Sequence, residues 1–205
     1  MISGIVLAAG ASTRMGQPKA ALPLGQMGET VLSRVVRTLL EGGVPELVVV
    51  AGAHIDAVRA AMPRDEPRAR VIEHTGWRQG QLSSLVSGLD AIDVPPVEAA
   101  LVTLVDVPLV HASTVAAVIE AWRHTRAPIV RPADPSTSLR AGGERHGHPV
   151  IFDRSVFADL RAADLNTGAK AVFALHRDRI VNVEVNDSGA FEDIDTPEDY
   201  ERIRG

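Results

Sequence analysis

The feature that most constrains the fold of this chain is an alternation of short β-branched runs with longer segments of helical period. Such an alternation predicts crossover helices between strands, and therefore an α/β fold with a mostly parallel sheet. The seven predicted strands are Ile2–Leu7, Leu47–Ala51, Arg70–Glu73, Ala100–Val105, Ile129–Arg131, Val150–Phe152 and Ile180–Val185. The predicted helices cover about 30–41, 54–62, 82–91, 113–123, 154–161 and 167–175, with a last one after Thr196-Pro197.

Length and composition predict one domain that spans residues 1–205. Apolar residues make up 45% of the 205 residues, which suits a single α/β core better than two small ones. Aromatic residues contribute only 3%, so the core must be aliphatic, as buried parallel strands covered by helices require.

The stretch from Pro132 to His146 differs from the rest of the chain. It contains two prolines, a Gly142-Gly143 pair and a cluster of Ser and Thr, and it has few side chains to bury. These residues favour turns over regular structure. We therefore predict a mobile surface loop at about 132–146.

Charge and cysteine content narrow the classes of partner. The 21 Lys and Arg are outnumbered by 26 Asp and Glu, so the net charge of −5 offers no basic field to nucleic acid, and a small ligand is expected instead. There are no cysteines, which excludes disulfides and thiolate metal sites. The apolar run after Met1 ends at Ala8-Ala9-Gly10 and is too short for a signal peptide or a membrane span. We therefore expect a cytoplasmic protein with no membrane partner.

The segment from Leu7 to Lys19 follows the first predicted strand and reads L-A-A-G-A-S-T-R-M-G-Q-P-K. Its small residues would let backbone N–H groups approach a phosphate chain, while Arg14 and Lys19 bring positive charge to the phosphate oxygens. The spacing fits neither a P-loop nor the G-x-G-x-x-G dinucleotide fingerprint. Taken alone, the segment indicates either a phosphate-binding loop or an ordinary strand-to-helix turn.

Two aspartates are candidates for holding a metal ion. Asp106 stands at the carboxyl end of the predicted strand Ala100–Val105, the edge at which open α/β sheets bind ligands. A carboxylate there either holds Mg²⁺, which prefers oxygen ligands, or starts a turn before Pro108. Asp195 also has two interpretations, because an Asp beside Thr196-Pro197 favours a helix N-terminus as well.

The order of residues in the Leu7–Lys19 segment resembles the signature loop of the MobA-like nucleotidyltransferases, and within them that of the molybdenum cofactor cytidylyltransferases. Further motifs similar to that family's follow in order: G-W-R-Q-G-Q-L-S-S-L at 76–85, L-V-D-V-P at 104–108, G-H-P-V-I-F at 147–152 and D-I-D-T-P-E-D at 193–199. The pattern is broken at His74-Thr75, where Asn-Pro is usual. It is broken again at 165–170, which reads L-N-T-G-A-K where relatives more often have G-D-x-G-A-R.

The resemblance implies a Rossmann-like three-layer fold of the nucleotide-diphospho-sugar transferase type. It implies transfer of CMP from CTP to the phosphate of molybdenum-bearing molybdopterin, with release of pyrophosphate and with Mg²⁺ as cofactor. The implied catalytic residues are Arg14, Lys19 and Asp106. The implied metal ligands are Asp106 and Asp195, and the implied acceptor-binding residues are His148 and Asn166. The residues implied to contact the nucleotide are Leu7, Ala8, Ala9, Gly10, Ser12, Arg14, Lys19, Gly80, Gln81 and Ser84.

The choice of CTP over GTP is predicted from one residue of the signature loop. Ala9 stands where guanylyl-transferring relatives that resemble this loop carry a second Gly. A methyl group at position 9 would narrow the floor of the base pocket, where a pyrimidine fits and a larger purine would collide. One such contact discriminates by roughly 10- to 200-fold.

The implied reaction is an in-line attack by the acceptor's phosphate on the α-phosphorus of the nucleotide. The attacking phosphate is already ionised, so positioning and neutralisation of charge suffice without a general base. Two other functions stay open: transfer to a sugar phosphate or another phosphate acceptor, and a non-catalytic nucleotide- or cofactor-binding chaperone. A client molybdoenzyme or its chaperone would be a further partner.

Overall fold

The computed structural model describes residues 1–25, 28–137 and 145–204, and over these ranges it contains one seven-stranded sheet. Each predicted strand is present, with ends that differ from the prediction by at most two residues. The strands are β1 (Ile2–Ala8), β2 (Leu47–Ala51), β3 (Ala69–Glu73), β4 (Ala99–Leu104), β5 (Ile129–Ala133), β6 (Val150–Asp153) and β7 (Ile180–Glu184).

The predicted helices are present as well. They are α1 (Val31–Glu41), α2 (Ile55–Ala61), α3 (Gln81–Ile92), α4 (Ala112–Thr125), α5 (Phe157–Ala162), α6 (Lys170–Leu175) and α7 (Pro197–Ile203). The helices alternate with the strands as far as β5, whereas α5 and α6 both lie between β6 and β7. The starts of α1 and α7 follow from local sequence, because Thr30 and Thr196 each cap a first turn through a reciprocal hydrogen bond with the residue three positions later. None of the helices within the described ranges is long and apolar enough to cross a membrane.

The order of the strands in the sheet is β3-β2-β1-β4-β6-β5-β7. Strand β6 runs antiparallel to both of its neighbours, and the other neighbouring pairs are parallel. Helices cover both faces, since Val6 and Ala8 of β1 pack in the layer of α1 and α4, whereas Ile5 and Leu7 pack in the layer of α3 and α5. The structure therefore confirms a mostly parallel, three-layer α/β fold.

Strands β1 and β4 are parallel neighbours in the middle of the sheet, and the chain proceeds from β1 toward one edge and from β4 toward the other. A reversal of this kind opens a crevice beyond the carboxyl ends of the two strands. Leu7 and Leu104 are register partners. The signature loop after Ala8 and the turn that holds Asp106 therefore emerge side by side.

The segment predicted as a loop at 132–146 begins later than expected. Pro132 and Ala133 are buried and belong to β5, because their backbone pairs with Val183 and Glu184 of β7. At the other end, His146 forms an isolated bridge with Ala133. The middle of the predicted loop, 138–144, lies outside the described residues.

Candidate active site

A cleft of about 430 Å³ opens at the carboxyl ends of β1 and β4. Segments that are distant in sequence line it, and they include the signature loop, the start of α3, the turn with Asp106 after β4, and Asp195 before α7. All residues for which the sequence predicts nucleotide contacts lie in this lining: Leu7, Ala8, Ala9, Gly10, Ser12, Arg14, Lys19, Gly80, Gln81 and Ser84.

The signature loop is wound around Ser12. The carbonyl of Ser12 accepts hydrogen bonds from the backbone N–H groups of Met15 and Gly16, both at 3.1 Å, and its Oγ accepts one from the Lys19 N–H at 3.3 Å. Ser12 and Gly16 both have positive φ angles, 50° and 73°, and glycine adopts this conformation without strain. Met15 is buried in the core and anchors the loop. This winding brings Arg14 and Lys19 to the same side of the cleft.

Four charged side chains form a connected cluster in the cleft. The Lys19 ammonium lies 3.0 Å from Oδ2 of Asp106 and 2.6 Å from Oδ1 of Asp195. The Arg14 guanidinium contacts the other oxygen of Asp195 at 2.6 Å. The two lysine contacts join residues 87 and 176 positions apart in the chain, so the fold creates the cluster.

Lys19 and Asp195 hold each other in the charged state. Burial opposes the charge on Lys19, but the hydrogen bonds and charges of Asp195 and Asp106 outweigh it and raise the lysine pKa above its ordinary value. The hydrogen bond from Lys19 lowers the pKa of Asp195 despite partial burial, with further lowering by the charge of Arg14. The side chain of Lys19 is only 11% exposed, whereas that of Arg14 is 71% exposed. Lys19 therefore acts in a less screened environment than Arg14.

The carboxylates of Asp106 and Asp195 fit a divalent metal ion. Oδ1 of Asp106 is buried and has no hydrogen-bond partner among the described residues. A buried carboxylate oxygen in this state is a suitable ligand for Mg²⁺ or Mn²⁺, which prefer oxygen. Within the described part of the chain no group of three or more His, Cys, Asp or Glu is arranged to hold a metal. Two carboxylates with water and phosphate oxygens are, however, the usual arrangement for Mg²⁺.

The start of α3 forms the opposite wall of the cleft. Gly80 precedes the helix with φ 102°, a conformation that favours glycine. The Ser83 hydroxyl donates to the Gly80 carbonyl at 2.7 Å and lies 3.0 Å from Nε2 of His74, so it stabilises the turn. Ser84 and Gln81 line the cleft instead, and the first N–H groups of α3 are available to an anion there.

The turn between β2 and α2 holds the signature loop through hydrogen bonds. This contact was not predicted from the sequence. The Ala53 N–H donates to the Ala9 carbonyl at 3.1 Å, and Nε2 of His54 donates to the Ala11 carbonyl at 3.0 Å. Gly52 is packed so closely that a Cβ there would lie 2.7 Å from both the Ala9 carbonyl oxygen and Cβ of Trp77. A glycine directly after β2 was the signal in the sequence, whereas His54 resembles an ordinary residue before a helix.

A second chamber of about 440 Å³ adjoins the cleft and shares Leu7, Gln81 and Leu104 with it. Most of its other lining side chains are apolar, and they include Leu82, Leu85, Val102, Val150, Phe152 and Phe173. Its basic residues are Arg131, His146, His148 and Lys170. Arg131 is held in place by His146 Nε2 at 2.9 Å and Asn182 Oδ1 at 3.0 Å, and it stacks over Phe173.

The two residues predicted for acceptor binding are placed differently. His148 lines the second chamber; burial lowers its pKa, and its Nδ1 has no hydrogen-bond partner among the described residues. Asn166 lines neither the cleft nor the second chamber, although Leu165 and Thr167 line the chamber. Its backbone N–H donates to Oδ1 of Asp164 at 2.7 Å in an exposed turn. An acceptor contact from Asn166 stays a prediction that this placement does not favour.

Comparison with known proteins identifies the family. Residues 4–180 match the MobA-like NTP transferase domain. The chain is 31% identical over 204 residues to nicotine blue oxidoreductase of Paenarthrobacter nicotinovorans, covering 98% of this chain and 96% of the relative. It is 34% identical over 162 residues to the probable molybdenum cofactor guanylyltransferase of Mycolicibacterium paratuberculosis, covering 78% of each.

Solved structures agree with this assignment. Rv0371c of Mycobacterium tuberculosis has a TM-score of 0.78 and 30% identity, covering 98% of this chain and 97% of the other. Its structure in complex with manganese gives a TM-score of 0.73 at 30% identity, covering 99% and 97%. The chain therefore belongs to the MobA-like NTP transferase family and has the Rossmann-like α/β fold of nucleotide-diphospho-sugar transferases.

Proposed function

We propose that this protein moves CMP from CTP to the phosphate of molybdenum-bearing molybdopterin and releases pyrophosphate. The observation that carries the proposal is the convergence of the signature loop, Asp106 and Asp195 around the Lys19 ammonium in one cleft. Such a site supplies cations and metal ligands for a triphosphate. The product would pass to a client molybdoenzyme or its chaperone.

The chemistry requires one bond to form and one to break at the α-phosphorus. An oxygen of the acceptor's phosphate attacks that phosphorus, the bond to the β-phosphate breaks, and pyrophosphate leaves with the electron pair. Lys19 and Arg14 neutralise charge on the phosphate oxygens, and the loop N–H groups orient the chain. Because the attacking phosphate is already ionised, no side chain has to remove a proton.

Asp106 and Asp195 would hold a divalent ion, which we propose to be Mg²⁺. Bound there, the ion would supply further neutralisation of the phosphate charge. The buried, unpaired Oδ1 of Asp106 supports a metal at this place. A structure of Rv0371c in complex with manganese supports a divalent metal ion in general.

The second chamber, with apolar walls and a few polar side chains, supports an acceptor with a flat ring system and polar edges over one with many hydroxyls. A sugar phosphate would place some of its hydroxyls against Leu, Val and Phe side chains, which offer no hydrogen bonds. A planar ring system instead packs well against Phe152 and Phe173, whose rings lie edge to face at 5.7 Å. His148 and Lys170 would add polar contacts within the chamber.

The identity of the nucleotide is the part of the proposal that most needs a direct test. The molybdenum cofactor relative named above is a probable guanylyltransferase, whereas the Ala9 of this chain favours CTP. The test is a panel of pyrophosphate-release assays that combines CTP, GTP, ATP and UTP with molybdenum-loaded molybdopterin and with a sugar phosphate. Pyrophosphate release is expected only from the combination of CTP with molybdenum-loaded molybdopterin. Release only with GTP, or only with the sugar phosphate, contradicts the assignment.

One relative supports a second candidate function. Nicotine blue oxidoreductase matches this chain over nearly its whole length, so an oxidoreductase that acts on nicotine blue is a specific alternative. The dinucleotide fingerprint is absent from the sequence, which disfavours this reading. Oxidation of NADH or NADPH in the presence of nicotine blue, with no pyrophosphate release from any nucleotide, would establish the alternative. The same absence of pyrophosphate release without reductase activity would point to a chaperone.

A further inference from the structure

Residues 187–195 connect β7 to α7 and contact several parts of the candidate active site. This segment, called the strap here, lies beyond the 4–180 range that matches the family domain. It carries Asp195 at its end and Asp187 at its start. The two aspartates differ in setting, because Asp195 faces the cleft whereas Asp187 is 4% exposed.

The start of the strap is fastened to the beginning of α4. Oδ2 of Asp187 accepts hydrogen bonds from the His111 N–H at 2.9 Å and from the Thr114 hydroxyl at 2.6 Å. Its Oδ1 accepts one from the Gly189 N–H at 3.1 Å and lies 3.8 Å from Nδ1 of His111. A buried carboxylate is tolerated only when it is satisfied in this way. Asp187 therefore fixes where the strap begins.

The middle of the strap is packed closely against its neighbours. A Cβ on Gly189 would overlap the carbonyl oxygen of Leu109, so the backbone of the strap lies directly on the turn that follows Asp106. The Ala190 carbonyl accepts from the His148 N–H at 2.8 Å, and a Cβ on Gly147 would overlap the same carbonyl. Substitution at either glycine would push the strap outward.

The end of the strap reaches both carboxylates of the cleft. The Ile194 N–H donates to the Asp106 carbonyl at 2.8 Å, and the Ile194 side chain is buried. The next residue, Asp195, then contacts the Lys19 ammonium. The backbone of the strap therefore sets the position of the Asp195 carboxylate relative to that of Asp106.

We propose that Asp187 is a positioning residue that sets the geometry of the Asp106–Asp195 carboxylate pair. It touches neither the nucleotide cleft nor the second chamber, so its effect passes through the strap. Replacing the carboxylate with an amide turns one of its two accepting oxygens into a donor, which then faces either the Gly189 N–H or the His111 N–H and the Thr114 hydroxyl, so the start of the strap shifts. Outer partners of metal ligands contribute about 10- to 100-fold to metal affinity or activity. The inference rests on the proposed metal role of the pair.

The test compares Asp187→Asn with the unchanged protein by Mn²⁺ titration followed by electron paramagnetic resonance, and by pyrophosphate release. The expected result is a Kd for Mn²⁺ weakened by about 10-fold or more, with a matching fall in kcat. The KM for CTP should change less than about twofold, because the winding of the signature loop around Ser12 does not involve the strap. Thr114→Val removes one hydrogen bond and should weaken Mn²⁺ binding in the same direction by a few-fold. If Asp187→Asn does not fold, Thr114→Val decides the question.

Asp153→Asn is the matched control, because Asp153 also fastens a segment to α4 away from the cleft. It accepts from Trp122 Nε1 at 3.1 Å and from the Ser155 N–H at 3.0 Å. This control should lower the melting temperature and leave the Kd for Mn²⁺ unchanged. If Asp187→Asn behaves in the same way, the positioning role is overturned.

A second reference variant separates this inference from the proposed function. If Asp195→Asn leaves Mn²⁺ binding unchanged, the metal pair itself is wrong and the positioning role falls with it. If Asp195→Asn weakens Mn²⁺ binding but Asp187→Asn and Thr114→Val do not, the metal pair stands and only the role of Asp187 is lost.

Discussion

The cleft and the second chamber meet at Leu7, Gln81 and Leu104, but they are built in different ways. The cleft is made of a wound backbone loop and a cluster of four charges. The second chamber is made mostly of apolar side chains that project from β4, β6, α3 and α6. The difference indicates a division of labour, in which the cleft neutralises phosphate charge and the second chamber selects the body of the acceptor.

The division of labour predicts that the largest effect lies at Asp106. Replacing it with Ala removes a carboxylate with a buried, unpaired oxygen and one partner of Lys19. Pyrophosphate release should fall by about 1000-fold, because the divalent ion that would neutralise phosphate charge loses a ligand in a partly buried site. The fold should persist, since Asp106 is not part of the apolar core. Asp56→Ala, at an exposed position on α2, is the control and should keep full activity. Normal turnover of Asp106→Ala at low Mg²⁺ would contradict the role.

Lys19 and Arg14 should differ in effect because they differ in exposure. Lys19→Ala removes a cation that is 11% exposed, and we expect kcat to fall by about 100- to 1000-fold. Arg14→Ala removes one that is 71% exposed, and a loss of about 10-fold is expected because solvent screens it. The measurement is kcat per folded molecule, with the folded fraction of each variant taken from its thermal melting curve. Equal losses would mean that burial does not rank the two cations.

The fold and the cleft could be predicted from the sequence to different extents. The strands and helices follow from apolar period, and the capping residues Thr30 and Thr196 indicate where two of the helices begin. Periodicity does not say that β6 inserts antiparallel between β4 and β5, because the spatial order of strands depends on tertiary packing. The cleft could be predicted because its loop is contiguous in sequence. Asp195 required a family motif, since it meets Lys19 across 176 positions.

The second chamber and the strap could not be predicted for a physical reason. Phe152 and Leu85 have the pattern of ordinary core residues, so nothing in the sequence separates a chamber wall from the core. Asp187 precedes Ser-Gly, which reads as an exposed turn, although the fold buries it against α4. His54 gave no signal either, because its contact with the Ala11 carbonyl exists only after β1 and β2 pair.

The second chamber offers the next test of the comparison. Phe173→Leu removes a ring that packs against Phe152 and under Arg131, while it keeps an apolar side chain on α6. The KM for the acceptor should rise by about 10-fold, because loss of an aromatic contact weakens binding by about 0.5–1.5 kcal/mol beyond the loss of buried area. The KM for CTP should stay the same. Leu175→Ala, at an exposed position of the same helix, is the control. A rise in the KM for CTP instead would show that the two chambers do not divide the substrates.

The effect expected at Ala9 is no larger than these and concerns base specificity, in a part of the cleft that the second chamber does not share. Ala9 lines the cleft, yet it is only 4% exposed and packs in the same layer as Trp77 and Leu82. Its methyl group is thus mostly covered by protein and shapes the base pocket mainly through these neighbours. We therefore expect the low end of the range for one steric contact, about 10-fold in preference for CTP over GTP. Gln81 and Ser84, which also line the cleft, would supply further discrimination.

The measurement is the ratio of kcat/KM for CTP to that for GTP, with molybdenum-loaded molybdopterin, in the unchanged protein and in Ala9→Gly. The ratio should fall by about 10-fold in Ala9→Gly, because the neighbouring side chains can move into the space that the methyl group leaves and the base pocket can widen for GTP. Ala11→Gly serves as the control, because it gives the same loop the same added freedom at a position whose carbonyl is held by His54. An equal fall in the control would mean that loop flexibility sets the ratio. An unchanged ratio in Ala9→Gly would remove the steric reason and leave CTP as the donor, whereas equal use of GTP by the unchanged protein would refute the assignment to cytidylyl transfer.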